Sequence, residues 1–173
     1  KDISKLKLHI LVYIGKNKNI VIANPNAPTG IALDKATVEA IIASNPESIV
    51  LIDEAYVDFG GESAIPLTKK YDNLIVTRTF SKSYSLAGAR LGFGIANSAL
   101  INDMNTIKYS TNPYNVNSLT QIAGTFALKD NGYYMDNAQK IIKTREYLTE
   151  EYRKLGFYVL DSKANFIFAK SDK

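Results

Sequence analysis

Three short apolar runs fix what this chain can fold into: Asn19-Ile20-Val21-Ile22-Ala23, Ser48-Ile49-Val50-Leu51-Ile52 and Asn73-Leu74-Ile75-Val76-Thr77. Each is short, rich in β-branched residues and bounded by turn formers, the pattern of a buried strand. Between the first two, Asp34 is placed to cap a helix over 35–44, with Val38, Ile41 and Ile42 on its apolar face. Asn45-Pro46 stops that helix. Strand, helix and strand in about thirty residues is the span of one right-handed crossover, so the runs are predicted to lie parallel with their carboxyl ends side by side. A fourth run, Leu91 to Ala96, follows too closely for such a crossover and is predicted antiparallel. The fold expected is a three-layer α/β sandwich with a mostly parallel sheet of at least four strands, three parallel and one antiparallel.

Ligands in open α/β sheets bind beyond the carboxyl ends of the strands. The residues there carry the functional reading. After the first strand comes Asn24-Pro25-Asn26-Ala27-Pro28-Thr29-Gly30, a rigid non-helical turn. It is either a plain connector or a holder of polar groups. After the second comes Asp53-Glu54-Ala55-Tyr56. Asp53 either caps the next turn or pairs with a ring nitrogen that must stay protonated, since a carboxylate favours a neighbouring cation. Tyr56 is then placed to bond a ring oxygen. After the third come Thr79, Ser81 and Lys82, with Arg90 eight residues beyond the lysine. An amine, a guanidinium and several hydroxyls suit an aldehyde cofactor that carries a phosphate: the amine condenses with the aldehyde and the others hold the phosphate. The alternative is a solvated Ser-rich turn with Arg90 in a surface pair, and this stretch alone divides the two evenly.

Composition narrows the classes. The 173 residues are 46% hydrophobic and 22% charged, ordinary for a soluble globular chain, with net charge +4 and a pI near 9.1. The basic residues form no run, so nothing specific points to nucleic acid, and the modest excess suits anionic small molecules. There is no cysteine, hence no disulfide framework, which fits a cytoplasmic protein. No apolar run approaches the roughly 18 residues of a membrane span. His9, the only histidine, has no companion for a metal site and reads as a surface or packing residue. Gly92-x-Gly94 lacks the third glycine of a dinucleotide loop, and no GxxxxGK[ST] motif is present. Eleven tyrosines form no stacking platform with basic neighbours.

The rest of the chain reads as helical. Ser98 is expected to cap a helix to about Tyr109, with Ile101, Met104 and Ile107 inward. A second helix opens at Asn117 or Ser118 and packs on Leu119, Ile122, Ala123, Phe126 and Ala127. Asn131-Gly132 interrupts, and a long helix follows from about Tyr133 to Leu155 with Gly156 at its C′ position. Residues 157–160 and 165–169 alternate as two strands. The division expected is a cofactor-binding large domain over 1–132, a connecting helix over 133–156 and the start of a small domain over 157–173.

Asn24 to Gly30, Asp53-Glu54-Ala55-Tyr56, and Ser81-Lys82 followed by Leu86-Ala87-Gly88 and Arg90-Leu91-Gly92-Phe93 together resemble the fold-type I aminotransferases that use pyridoxal 5'-phosphate. Asn112-Pro113-Tyr114-Asn115-Val116-Asn117 and the lysine segment are most similar to the histidinol-phosphate aminotransferase branch. The resemblance implies that Lys82 binds the cofactor aldehyde and then moves the substrate proton, that Asp53 pairs with the pyridine nitrogen, and that Tyr56 bonds the ring's phenolic oxygen. It implies that Thr79, Ser81 and Arg90 hold the phosphate. The family places an asparagine directly before Pro-Thr-Gly; here that position is Ala27, so either Asn26 takes its part or Tyr56 acts alone.

The activity implied is transfer of an amino group between an amino compound such as histidinol phosphate and a 2-oxo acid such as 2-oxoglutarate, in histidine biosynthesis, by a cytoplasmic homodimer that uses no metal. A decarboxylase or lyase of the same fold, or a silent binding or dimerisation module, are the alternatives. The family's Gly-rich loop, ring-stacking aromatic and C-terminal carboxylate-binding arginine have no counterpart here, so the chain is expected to be a central fragment with little transamination of its own.

Overall fold

The computed structural model describes Tyr13, Gly15, residues 18–114 and residues 116–171. His9 and most of the basic segment before Asn19 lie outside the described residues.

The chain order is β1 (Ile20–Ala23), α1 (Lys35–Ala43), β2 (Val50–Asp53), β3 (Leu74–Thr79), β4 (Gly92–Ile95), α2 (Ser98–Thr111), α3 (Ser118–Lys129), α4 (Asn131–Lys154), β5 (Tyr158–Val159) and β6 (Ala169–Lys170), with 3-10 turns at Val57–Phe59, Ile65–Lys69 and Ala87–Ala89. The main sheet runs β1-β2-β3-β4. The first three strands are parallel and β4 is antiparallel to β3, as expected.

Register explains the core. Ile20, Val50 and Leu74 stand at one level, and Ile22, Ile52 and Val76 at another two residues on. Side chains alternate along a strand, so all six share one face. Val38, Ile41 and Ile42 of α1 cover that face with Ala64 and Leu67. Each fully buried side chain of this size contributes roughly 1.5–3 kcal/mol. Helix α1 starts where expected, with Asp34 Oδ1 accepting from the Thr37 amide at 2.7 Å. The buried Asn45 side chain donates to the Ile41 carbonyl at 2.7 Å, and Asn73 donates to the carbonyls of Asn45 and Ser48. These bonds fix where β2 and β3 enter the sheet.

The opposite face carries Ala23, Asp53 and Thr77 at a single level. It is only partly covered: Val21 is 70% exposed, while Met104 of α2 approaches Gly94.

The helices after the sheet differ in detail from the sequence reading. Asn97, not Ser98, caps α2, accepting from the Leu100 amide at 2.9 Å. Met104 and Ile107 are not buried: Ile107 faces out, and Met104, although its tip approaches Gly94, stays exposed. Asn117 caps α3, but the side that packs is Thr120, Gly124 and Ala127, while Leu119, Ile122 and Phe126 face out. The small residues win because Leu91 presses against Gly124, where a Cβ would meet its Cδ2 at 2.3 Å. Asn131-Gly132 is not a break: it forms the first turn of α4, and the chain turns at Asp130, which ends α3. Gly156 takes the expected position after α4, with φ +86°. The two late strands are shorter than predicted and pair antiparallel.

Candidate active site

Strand register brings the motifs together. Ala23, Asp53 and Thr77 are lateral neighbours at the carboxyl edge. The turn after β1, the segment after β2 and the loop after β3 therefore leave the sheet side by side.

Asp53 ends β2, half-buried. Its Oδ1 accepts from the Ala55 amide at 3.1 Å and from Thr77 Oγ1 at 3.3 Å. Asp53 thus caps the following turn, and its carboxylate has further lone pairs to offer a ligand. Tyr56 precedes the 3-10 turn Val57–Phe59. The Lys82 Nζ sits 5.0 Å from its ring centroid, a cation–π distance. Phe166, from the segment before β6, meets the Tyr56 ring edge-on at 5.2 Å.

The lysine loop is held at many points. Thr79 Oγ1 donates to Ser81 Oγ at 3.0 Å and accepts from the Ser81 amide at 3.1 Å. The Lys82 carbonyl accepts from the Ser85 amide at 3.1 Å, and Ser85 adopts φ +55°. Lys82 thus lies beside the Tyr56 ring, and Thr79 and Ser81 are bonded to each other just ahead of it. Arg90 is adjacent through the chain: the Leu91 carbonyl accepts from the Phe80 amide at 3.0 Å. The Arg90 side chain is exposed, its Nη1 donating to the Ala87 carbonyl at 3.1 Å.

In the turn after β1, Asn24 rather than Asn26 is the structural clamp. It is buried, accepts from the Leu33 amide at 2.7 Å and donates to the Leu33 carbonyl at 3.2 Å. Asn26 Oδ1 accepts from Thr29 Oγ1 at 2.8 Å, which leaves the amide nitrogen as the atom it can offer a ligand. Ala27 is exposed. Gly30 has φ +76°, and its carbonyl accepts from the Lys163 amide at 2.7 Å.

Beneath these residues lies a charged chain that the sequence reading missed. Glu54 is 1% exposed. It accepts from the Ala64 amide at 2.5 Å, from Ser63 Oγ at 2.8 Å and from Arg78 Nε at 2.8 Å. Arg78 Nη1 also donates to Asp58 Oδ1 at 2.8 Å, and Asp58 Oδ2 accepts from Ser83 Oγ at 2.5 Å. Strand alternation makes this possible: Asp53 faces the site with Thr77 and Thr79, while Glu54 and Arg78 fall on the other side. A charged residue inside an apolar strand, Arg78 between Thr77 and Thr79, was the available signal. Tyr84, next to this chain, has its hydroxyl pKa raised by burial and by the Asp58 charge; it donates to Asn131 Oδ1 at 2.6 Å.

The donor set fits pyridoxal phosphate by its chemistry: an amine, a carboxylate, a phenol and hydroxyls at one sheet edge, with a guanidinium on the same loop. Among the described residues no group of three His, Cys, Asp or Glu side chains is placed to hold a metal ion.

Known proteins bear on this site. The profile of the family "Aminotransferase class I and II" matches residues 2–171. A histidinol-phosphate aminotransferase of Brachyspira hyodysenteriae is 56% identical over 157 residues, covering 90% of this chain and 44% of that protein. One from Lactococcus lactis subsp. lactis is 52% identical over 167 residues, covering 96% and 46%. The chain thus spans less than half the length of these relatives. Among solved structures, the histidinol-phosphate aminotransferase of Sinorhizobium meliloti in complex with pyridoxal-5'-phosphate superposes with a TM-score of 0.78 at 27% identity, covering 88% of this chain and 42% of that one. On the match along nearly its whole length and the shared α/β fold, the chain belongs to the class I and II aminotransferases.

Proposed function

We propose that this chain supplies the cofactor-binding centre of a pyridoxal-phosphate-dependent aminotransferase that moves an amino group from histidinol phosphate to a 2-oxo acid such as 2-oxoglutarate. The observation that carries this reading is the Lys82 amine beside the Tyr56 ring, on segments that follow the paired strand ends of Asp53 and Thr77. The names of relatives about half identical in sequence point to the substrate.

Bound pyridoxal phosphate supplies an electron sink for bond breaking at the amino-bearing carbon. The residues of this chain do the rest. Lys82 is the amine that holds the cofactor aldehyde and, once displaced, the base that takes and returns the substrate proton. Asp53 keeps the pyridine nitrogen protonated, because a carboxylate beside it favours the charged form. The Tyr56 hydroxyl and the Asn26 amide are the donors for the ring oxygen. Thr79 and Ser81 hold the phosphate with hydroxyls and Arg90 with charge. Arg90 Nη1 donates to the Ala87 carbonyl, and the remaining guanidinium N–H groups are left to meet the phosphate.

The small two-stranded sheet of β5 and β6 supports reading residues 157–173 as the start of a second domain, joined through α4. Exposed Ile107, Leu119 and Phe126 on α2 and α3 support a homodimer as the working form. The direct test incubates the intact, cofactor-loaded enzyme that contains this chain with histidinol phosphate and 2-oxoglutarate. Glutamate should form only when histidinol phosphate is present, and Lys82→Ala should abolish it. Glutamate formation that is indifferent to histidinol phosphate, or that survives Lys82→Ala, overturns the reading.

A further inference from the structure

We propose that the chain Glu54–Arg78–Asp58–Ser83, buried at both ends and half-buried at Arg78 and Asp58, is a positioning device that sets the Lys82 amine against Asp53 and Tyr56. The proposal rests on the reading of Lys82 as the reactive amine.

The geometry is specific. Each link binds a residue one or two places from a site residue: Glu54 follows Asp53, Asp58 is two beyond Tyr56, and Ser83 follows Lys82. Arg78 uses separate nitrogens for its two carboxylates, both at 2.8 Å. The guanidinium fork is rigid, so its two bonds fix the distance between Glu54 and Asp58. Asp58 passes that constraint to Ser83, across the gap between the segment after β2 and the lysine loop. Ser81, on the other side of Lys82, is tied to Thr79. Both neighbours of the lysine are therefore anchored, each to a different element.

Stability alone does not explain this arrangement. Replacing a buried ion pair such as Glu54–Arg78 by well-packed apolar residues is often neutral or stabilising. A reactive side chain, in contrast, needs neighbours whose own positions are locked. Arg78, Asp58 and Ser83 are positioning residues: they act on the amine through the backbone of its loop.

The test uses Ser83→Ala, which removes the last link and leaves the ion pairs in place. The full chain is treated with pyridoxal phosphate, reduced with borohydride and mapped by mass spectrometry. In parallel it is pulse-labelled with acetic anhydride, which reads amine reactivity without cofactor. Exposed Lys129 and Lys140 are internal controls. Ser83→Ala should slow trapping on Lys82 about tenfold, within the roughly hundredfold that a 1 Å displacement can cost. The controls should not move, and Ser83→Thr, which keeps the hydroxyl, should restore the rate. The anhydride should report a changed Lys82 reactivity in Ser83→Ala. Unchanged Lys82 reactivity with both reagents overturns the inference. Absence of a Lys82 adduct in the parent chain, with anhydride reactivity still dependent on Ser83, sinks the cofactor reading and leaves the positioning role standing.

Discussion

Gly30→Ala separates backbone strain from a genuine close approach. Gly30 has φ +76°, where an L side chain is strained, and a Cβ there would lie 2.2 Å from Ser162 Oγ and 3.0 Å from the Ser162 Cα. Gly156 is the matched control: φ is +86°, yet a Cβ would meet nothing within 4 Å. Gly156→Ala should therefore cost only the left-handed penalty, about 1–2 kcal/mol. Gly30→Ala carries that penalty plus the displacement of a backbone segment, a further 1–3 kcal/mol by analogy with overpacked cores. The 162–163 segment cannot simply retreat, because the Lys163 amide is bonded to the Gly30 carbonyl at 2.7 Å. A gap of about 2 kcal/mol between the variants is expected, which at a urea slope of about 2 kcal/mol per molar separates their midpoints by about 1 M. Urea titration followed by circular dichroism measures both. Equal midpoints would refute the reasoning, since they would mean that the turn after β1 does not touch the C-terminal segment.

Two other perturbations probe the same frame. Arg145 is buried and donates at 2.7 Å to the carbonyls of both Phe59 and Ala164, so Arg145→Met strands two acceptors; a loss of about 3 kcal/mol is expected by urea titration, with no loss meaning that the carbonyls find other donors. Tyr84 is held protonated by burial, its pKa above the ordinary 10.0. The folded state then keeps a proton that the unfolded chain releases, so Tyr84 contributes stability below about pH 10 that is lost as pH rises toward the folded pKa. Tyr84→Phe should flatten the alkaline fall of the urea midpoint, and an unchanged slope between pH 9 and 11 counts against it.

Much of the frame that carries the candidate site was legible because its information is local. The strand runs, their turn residues and the Asp34 cap depend on neighbours in sequence, and alternation then decides which residues share a face. The parallel order and the return of β4 followed from connection lengths alone. What was not legible depends on partners far along the chain. Periodicity gave α2 and α3 an apolar side but not its neighbour, and Gly124 took the contact because Leu91 needed room. Asn131-Gly132 reads as a breaker in isolation, yet it begins α4 once Asp130 makes the turn. Arg145 resembles any surface arginine until the carbonyls of Phe59 and Ala164 converge on it. Glu54 and Arg78 were hidden for the same reason: their pairing joins positions twenty-four apart. The departure at Ala27 is the reverse case, visible in sequence, and the bond from Thr29 to the Asn26 oxygen is local to that turn.

The most direct measurement of the central claim is the absorbance spectrum of the protein mixed with pyridoxal phosphate, then borohydride reduction and peptide mapping, alongside Lys82→Ala. A new long-wavelength band, with the reduced adduct concentrated on Lys82 and lost in the variant, is the result predicted. Adducts spread evenly over the exposed lysines, with Lys82 no more reactive than the rest, would contradict it.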